Sequence, residues 1–357
     1  MHYVEEINSI LGKLGVSEVH LLSGVNSDSK CAFKEATFEG ISEYSVKKDL
    51  LYKELVEQRA IKTAKEVELL RYVNKVSSEA HKHVMSQVKP GMLEYQAETL
   101  FQHYCYFHGG CRGSAYTCIC GSGENSAILH YGHSAAPNNR QISSGDMCLF
   151  DMGASYHGYV ADITCSFPIN GRFSEEQKKV YNAVLRASRT VLSLMKPGVP
   201  YTEMHITALR VICEDLKHAG LLRGSVDEMM EHWVGALFMP HGLGHLMGID
   251  THDCGGYSDG TERVQKPSIR SLRMGRKLKE GMCLTVEPGV YFIESLLTPA
   301  FDDPVYQRFL VREAIQPLLN FGGVRIEDDV VVTNDGVELL TQVPRTVEEI
   351  EEWMNKK

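Results

Sequence analysis

The chain has 357 residues, of which 43% are hydrophobic and 23% charged, and its formal net charge is -9. This composition is typical of a soluble globular protein with one large domain or two ordinary ones. The negative charge argues against a nucleic-acid partner bound through its phosphates. We expect no membrane span and no secretory signal, because long apolar runs and a basic, then apolar, start are missing. The ten cysteines are scattered without a paired CxxC pattern, which favours reduced thiols in the cytoplasm.

The first part of the chain predicts a small unit followed by two helices. Residues 4–14 suit an amphipathic helix and residues 18–22 a strand, a piece too small to bury a sheet alone. Apolar residues at three- and four-residue spacing then predict helical structure over residues 51–89, ending at Lys89-Pro90-Gly91. A second helix is predicted over residues 92–107.

Residues 147–167 predict an apolar β-hairpin with one aspartate in each strand. A turn around Tyr156 and His157 would place Asp151 directly opposite Asp162, with Cβ atoms about 4.5–5.5 Å apart. Carboxylates that close repel each other unless a cation or a shared proton lies between them. The alternative is that both are unrelated aspartates near a turn.

The second half of the chain repeats the plan of the first. A capping box at Ser174 and Gln177 predicts a helix that runs to Lys196-Pro197-Gly198. The same Lys-Pro-Gly sequence ends the helical run at residues 89–91. Another helix is predicted over residues 201–218. Residues 281–287 then echo residues 145–151, with an acid six residues after a glycine in both. This repetition predicts an internally duplicated α+β fold.

Five residues are candidate metal ligands because they combine acids on apolar strands with a histidine in a glycine-rich segment. They are Asp151, Asp162, His245, Glu287 and Glu327. His241 lies four residues before His245, but Gly242 and Gly244 disfavour a helix there, so we expect only one of the two to be a ligand.

Four carboxylates and one imidazole form an oxygen-rich set that favours Mn²⁺ over a thiolate-type zinc site. Four acids also suit two metal ions about 3.5–4 Å apart, which would polarise a carbonyl and activate water for peptide or ester hydrolysis. Taken singly, each residue has a structural alternative. Glu327 could simply pair with Arg325, and either histidine could be a hydrogen-bonded structural residue.

Several motifs together resemble the prolidases, the Xaa-Pro dipeptidases among the pita-bread metallopeptidases. The matching stretches are residues 128–133, 151–162, 240–245, 248–253, 285–289 and 323–329. The resemblance runs from about residue 55 to the end. It implies a pita-bread fold with an internal pseudo-twofold and two Mn²⁺ ions per subunit, although other divalent ions also suit the set. Asp162 and Glu327 would bridge the ions, with Asp151 on one and His245 and Glu287 on the other.

The resemblance also implies hydrolysis of Xaa-Pro dipeptides by attack of a metal-bridged hydroxide on the scissile carbonyl. Glu287 would shuttle the proton. His130 and His252 would contact the substrate and stabilise the tetrahedral intermediate. We place His241 among the catalytic residues and Arg325 among the substrate-binding residues.

A cation-rich insertion between His252 and Glu287 favours a dipeptidase. Its cations are Arg263, Lys266, Arg270, Arg273 and Arg276. A dipeptide presents its carboxylate one residue from the scissile bond, where an arginine fork is the apt recogniser. The resemblance assigns this role to Arg273; the alternative is a solvated basic loop.

We expect two parts, a partial creatinase-type N-terminal domain over residues 1–54 and a catalytic domain over residues 55–357. The family resemblance implies a homodimer, which a partial N-terminal domain puts in question. Rival functions are an aminopeptidase P-type or methionine aminopeptidase activity on the same fold, or an inactive truncated binding module.

Overall fold

The computed structural model describes residues 2–26, 31–257 and 261–356 and has an α+β architecture. The elements of the first half are α1 (Ile7–Lys13), β1 (Glu18–His20), β2 (Ser45–Lys47), α2 (Leu51–Ala60), α3 (Ala64–Gln87), α4 (Glu94–Gly109), β3 (Gly113–Ser114), β4 (Ile119–Ser122), β5 (Met147–Asp151), β6 (Ala154–Tyr156), β7 (Tyr159–Val160) and β8 (Thr164–Pro168). Those of the second half are α5 (Glu175–Leu194), α6 (Tyr201–His218), α7 (Val226–Glu231), β9 (Cys283–Val286), β10 (Gly289–Tyr291), α8 (Glu294–Ala300), α9 (Arg312–Ile315), β11 (Gly323–Arg325), β12 (Asp328–Val332), β13 (Val337–Leu339) and α10 (Val347–Met354). None of the helices in the described ranges has the length and apolarity that crossing a membrane requires.

The helical run predicted over residues 51–89 is two helices, because a new N-cap interrupts it. The Thr63 hydroxyl accepts a hydrogen bond from the Glu66 amide at 3.4 Å. In return the Glu66 carboxylate accepts one from the Thr63 amide at 2.7 Å. This reciprocal capping satisfies amides that the first turn of α3 leaves without intrahelical partners. The predicted cap of α5 at Ser174 is confirmed, since its hydroxyl accepts a hydrogen bond from the Gln177 amide at 3.2 Å.

The predicted duplication is present in the backbone. Helix α3 packs against α4 and α5 packs against α6. Each pair is joined through a glycine with positive φ, Gly91 at 92° and Gly198 at 90°, a conformation that other residues disfavour. The amides of Gly91 and Gly198 donate to the carbonyls of Ile142 and Leu278, respectively, at 2.8 Å in both cases. Each half therefore ties its interhelical turn to the segment just before its first acid-bearing strand.

The predicted register of the hairpin is wrong by two residues. Asp151 pairs with Thr164, and Tyr156 pairs with Tyr159, so the turn residues are His157 and Gly158. Both have positive φ, 50° and 85°, which suits a tight two-residue hairpin turn. Asp151 and Asp162 are therefore diagonal neighbours. Because the shift is even, their side chains remain on the same face of the sheet.

The acids stand at the ends of buried antiparallel strands. One sheet has the order β4-β5-β8 and another the order β13-β12-β9, while β10 pairs with β11. Every residue of β5, β8, β9 and β12 is buried. Helix α5 contacts β9, β10 and β11, and α3 contacts β6 and β7. The sheets thus form a covered platform that ends in carboxylates.

Arg345 joins the C-terminal segment to this platform. Its guanidinium donates to the Thr164 carbonyl at 2.7 Å and to the Asp328 carboxylate at 2.8 and 3.0 Å. Another hydrogen bond reaches the Glu327 carbonyl. Arg345 is 3% exposed and Asp328 1% exposed, so this ion pair is shielded from water. It fixes the backbone of β8 and of the segment that carries Glu327.

We predict that Arg345→Met lowers the free energy of unfolding of the metal-free protein by about 3–5 kcal/mol, because it leaves the Asp328 carboxylate buried and unpaired. Chemical denaturation of the metal-free protein measures this change. The matched control is Arg172→Met at an exposed arginine. A loss no larger in Arg345→Met than in the control would contradict the structural role of the pair.

Candidate metal centre

The five candidate ligands line one cavity of about 1050 Å³. Asp151 is the last residue of β5, and Asp162 follows β7 across the hairpin. Glu287 directly follows β9, where Pro288 ends the strand, and Glu327 lies between β11 and β12. His245 comes from a non-helical segment whose next residue, Leu246, bridges to Leu284 of β9. The absence of a helix there agrees with the prediction from the flanking glycines.

Three of these residues form the tightest group. One ligand atom each from Asp162, His245 and Glu327 lies within 4.8 Å of the other two, and all three residues are buried. His245 Nε2 is 3.3 Å from Asp162 Oδ2 and 3.4 Å from Glu287 Oε1. Asp151 is buried at the same cavity. Four carboxylates and one imidazole are thus gathered together.

The orientation of the His245 ring suits a metal ion. Its Nδ1 lies 3.0 Å from the carbonyl of Leu246, so Nδ1 carries the proton and donates it there. Nε2 then faces the carboxylates of Asp162 and Glu287. Burial would lower the pKa of His245, but hydrogen bonding with Asp162 and the charge of Glu287 raise it above its ordinary value, so without a metal ion Nε2 shares a proton with these carboxylates. A lone pair facing two carboxylates is repulsive unless a cation or a proton lies between them. A backbone carbonyl that fixes the tautomer is a common support for a metal-bound histidine.

The pKa shifts of these carboxyl groups also indicate a site for a cation. Burial raises the pKa of Glu327 well above its ordinary value, and the nearby carboxylates of Asp162 and Glu287 raise it further. Burial also raises the pKa of Asp151 to about 7, although Arg325 opposes this shift. Burial would raise the pKa of Asp162 too, but hydrogen bonding with His245 brings it below its ordinary value. The pocket therefore gathers more carboxylates than its own cations can keep ionised, and hard divalent ions suit this oxygen-rich set.

Arg325, which the sequence assigned to substrate binding, lies beneath the acids and is 3% exposed. Its guanidinium donates to Asp151 Oδ2 at 2.7 Å, to the Tyr291 hydroxyl at 2.8 Å and to Thr164 Oγ1 at 3.0 Å. Its Nε is 3.8 Å from Glu327. These contacts mean that Arg325 mainly orients Asp151, although it also borders the cavity.

Several supporting residues escaped the sequence analysis. The Tyr116 hydroxyl donates to Asp151 Oδ1, and Thr164 Oγ1 donates to Glu327 Oε2 at 2.5 Å. The carboxylate of Asp329 accepts a hydrogen bond from the Asp162 amide at 2.8 Å. Thr164 could have been found, because it lies two residues after Asp162, the spacing at which extended residues share a face. Tyr116 carries no such signal, since it lies in an irregular, turn-rich stretch.

The three other candidate histidines border the same cavity. The ring of His252 packs edge-on against the ring of His245, with centroids 4.5 Å apart. His241 Nδ1 lies 2.7 Å from the Gly242 carbonyl and Nε2 lies 3.0 Å from the Tyr291 hydroxyl. Burial lowers the pKa of His241 to about 3. Desolvation also lowers the pKa of His130, with the nearby Arg325 and Arg273 adding to the effect. His241 and His130 are therefore neutral near pH 7.

The cations of the insertion have different positions. Arg276 is bound to the Glu57 carboxylate of α2 at 2.6 and 2.8 Å. Arg263 donates to the backbone carbonyls of Arg270 and Leu272, which braces the insertion from within. Together with Arg263, Arg270 and Arg273 line the cavity that holds the acids. The predicted carboxylate fork, Arg273, is thus placed at the same cavity as the candidate ligands.

The sequence model of metallopeptidase family M24 matches residues 68–334. The chain belongs to this family. It is 58% identical over 354 residues to the Xaa-Pro dipeptidase of Homo sapiens, covering 99% of this chain and 72% of that protein. It is 34% identical over 350 residues to a probable Xaa-Pro aminopeptidase of Sordaria macrospora, covering 98% and 73% of the two proteins.

A solved structure gives the same result for the fold. The zinc-substituted aminopeptidase P of E. coli, in complex with product, aligns with a TM-score of 0.73 and 34% identity. The alignment covers 87% of this chain and 63% of the E. coli chain, just under two thirds of its length. The predicted pita-bread fold and the resemblance to this metallopeptidase family are therefore confirmed.

We predict opposite effects of Glu327→Gln on the metal-free and metal-loaded protein. Without metal, removing one carboxylate from the crowded pocket should raise the unfolding temperature by about 2–4 °C, the shift that roughly 1 kcal/mol gives a domain of a few hundred residues. Added Mn²⁺ should raise the unfolding temperature of the parent protein but not that of Glu327→Gln. Thermal unfolding after chelation, with and without Mn²⁺, measures both effects. Glu348→Gln, at an exposed glutamate, is the control. An unchanged response to Mn²⁺ would remove Glu327 from the candidate ligands.

Proposed function

We propose that this member of family M24 is a metal-dependent peptidase that hydrolyses Xaa-Pro dipeptides into a free amino acid and proline. The observation that carries the proposal is the meeting of four carboxylates and the Nε2 lone pair of His245 in a cavity that Arg270 and Arg273 also line. The carboxylates and His245 suit metal-assisted hydrolysis. The two arginines suit a substrate that ends in a carboxylate.

We further propose two Mn²⁺ ions per subunit as the cofactor. Asp162 and Glu327, two of the three members of the tightest group, are the proposed shared ligands. In this proposal Asp151 would bind one ion, and His245 and Glu287 would bind the other; His245 Nε2 and Glu287 Oε1 lie 3.4 Å apart. When bound, such ions polarise a carbonyl and lower the pKa of water.

Glu287 is the proposed proton-transfer residue. Burial raises the pKa of its carboxyl group above the ordinary value, which favours exchange of a proton closer to neutral pH. Its Oε1 also accepts a hydrogen bond from Thr285 Oγ1 at 3.2 Å, which restrains the side chain. From this position Glu287 can take a proton from water and deliver it to the leaving proline nitrogen.

The neutral histidines at the cavity wall are the proposed substrate contacts. Burial lowers the pKa of His130, and it lowers the pKa of His252 to about 3. Each neutral ring keeps an N–H that can donate to the oxygen of the scissile carbonyl as negative charge develops there. His241 differs, because its Nδ1–H is directed to the Gly242 carbonyl at 2.7 Å. It is held through Tyr291, which Arg325 also contacts, so we propose that His241 supports the site from its edge.

Arg270 and Arg273 at the cavity favour a dipeptidase over an aminopeptidase. In Xaa-Pro, the free carboxylate follows the proline directly, and a planar guanidinium can bind both of its oxygens. A longer peptide continues where that carboxylate would lie. The higher identity to the dipeptidase than to the aminopeptidase supports the same choice. A binding module without activity is disfavoured, because all five candidate ligands are present and line one cavity.

We also propose that residues 55–357 form the catalytic unit, with residues 1–54 as a separate creatinase-type part. The proposed boundary lies within α2, whose Arg59 contacts Asp253 beside the cavity. A homodimer in the cytoplasm is the proposed form of the protein. Buried thiols such as Cys120 and Cys148 suit a reducing compartment.

The activity is tested by proline release from Gly-Pro and by cleavage of Gly-Pro-Leu, each with Mn²⁺ and after chelation. We expect Mn²⁺-dependent release from the dipeptide, no cleavage of the tripeptide, and no activity in Asp162→Asn. Cleavage of the tripeptide would indicate an aminopeptidase. No turnover by Mn²⁺-loaded protein would overturn the proposed activity.

The role of Arg273 gives a separate prediction. Arg273→Gln should raise KM for Gly-Pro by about 10–100-fold, because a charge-assisted hydrogen bond to the carboxylate is lost. It should change KM for Gly-Pro-amide, which lacks the carboxylate, by less than about twofold. Steady-state kinetics with both substrates measures the difference, and Arg172→Gln at an exposed position is the control. Equal effects on both substrates would contradict carboxylate recognition by Arg273.

A further inference from the structure

The insertion that carries Arg273 contains a buried serine in an unusual conformation. Ser268 has φ 65° and ψ -63°, and it is 4% exposed. The Ile269 amide donates to the Pro267 carbonyl at 2.8 Å, which closes a three-residue γ-turn around Ser268. A γ-turn with positive φ is rare and strained, particularly for a residue other than glycine. Such a conformation persists where surrounding contacts hold it in place.

Two hydrogen bonds within the described residues hold the side chain of Ser268. Its hydroxyl oxygen lies 3.0 Å from His205 Nε2, and its hydroxyl donates to the His241 carbonyl at 2.9 Å. His205 belongs to α6 and is fully buried. The hydroxyl therefore connects the insertion to a core helix and to the backbone of the histidine-bearing segment at the cavity.

The direction of each hydrogen bond is fixed by the amide of Leu243. This amide can only donate, and it lies 3.2 Å from His205 Nδ1, so Nδ1 is the acceptor. Nε2 then carries the proton and donates to Ser268. Burial lowers the pKa of His205 to about 3, so this arrangement holds across the physiological range of pH. The four groups, from the Leu243 amide to the His241 carbonyl, form one chain in which each donor has an acceptor.

Close backbone packing transmits this anchoring to Arg273. A Cβ atom on Gly242 would lie 2.5 Å from Leu272 Cα, and one on Gly256 would lie 1.9 Å from the Arg273 carbonyl oxygen. Both distances are too short for any side chain, so the insertion touches the neighbouring backbone on two sides. The Gly275 amide also donates to the Gly256 carbonyl at 2.8 Å. The backbone of Arg273 is therefore clamped between two glycine-containing segments.

We infer that Ser268, held by His205, is a positioning residue for substrate specificity: it fixes the insertion against the histidine-bearing segment so that Arg273 faces the carboxylate of the dipeptide. This inference rests on the proposed function, in which Arg273 binds that carboxylate. Ser268 lies outside the acid cluster, so its loss should change substrate selection and leave metal binding intact.

The kinetic test compares Ser268→Ala with the parent protein on Gly-Pro and Gly-Pro-amide. We expect KM for Gly-Pro to rise about tenfold or more, since a displacement near 1 Å is enough for such a loss. kcat, KM for the amide and the stabilisation by Mn²⁺ should stay within about twofold of the parent values. Ser193→Ala is the matched control, because its exposed hydroxyl donates to the Thr190 carbonyl of its own helix at 2.8 Å. Equal losses on both substrates, or none, would overturn the inference.

Substitutions of His205 separate the two contacts of its ring. In His205→Gln the side-chain amide can still donate to Ser268, whereas in His205→Asn it can accept from Leu243 but is too short to reach Ser268. We expect the Asn variant to show the higher KM for Gly-Pro. Equal values in the two variants would contradict the role of the hydrogen bond between His205 and Ser268.

Hydrogen exchange provides a test that does not depend on activity. Ser268→Ala should increase the exchange rate of amides in residues 261–276 by about tenfold or more, whereas Ser193→Ala should not. Unchanged exchange in Ser268→Ala would overturn the inference. Failure of the proposed function can be distinguished from failure of the inference about Ser268. A parent protein that releases no proline from Gly-Pro refutes the proposed function, whereas the exchange of residues 261–276 still decides whether Ser268 anchors the insertion.

Discussion

The structure depends on how four carboxylates, three of them buried and one half-buried, are held together against their mutual repulsion. Asp151, Asp162, Glu287 and Glu327 share one cavity, where burial strengthens every charge interaction. Arg325 offsets part of the charge through Asp151, and His245 offsets part of it through Asp162. The negative charge that remains is one that a divalent cation would neutralise. The site is therefore a place where the protein gives up stability in the metal-free state in order to bind metal, a trade-off common at functional sites.

The fold accepts this strain because rigid backbone supplies the positions. The acids stand at the ends of buried strands, and their side chains and amides are held by Thr164, Asp329 and Tyr116. Arg345 fixes the backbone on both sides of the group. The duplicated plan contributes as well, since each half delivers a strand that leads into an acid six residues after a positive-φ glycine, Gly145 or Gly281.

The sequence predicts local features, but it does not predict features that are determined by tertiary contacts. The Ser174 cap and the acids on apolar strands are local patterns, and the structure does bring the five candidate ligands to one cavity. The hairpin register was wrong because it depends on a two-residue turn at His157 and Gly158, where a non-glycine residue adopts positive φ. The roles of Tyr116 and Ser268 depend on partners distant in sequence, such as Asp151 and His205, and no spacing rule reveals them. The insertion shows the same limit, because Arg276 pairs with Glu57 whereas Arg270 and Arg273 line the cavity, and the sequence does not distinguish them.

The central claim is that these five side chains form a metal centre. Anomalous diffraction at the manganese absorption edge, from crystals grown with Mn²⁺, tests it most directly. We expect two anomalous peaks about 3.5–4 Å apart, enclosed by Asp151, Asp162, His245, Glu287 and Glu327, and the loss of both in Asp162→Asn. A cavity without anomalous density at saturating Mn²⁺, or peaks bound by other residues, would contradict the account.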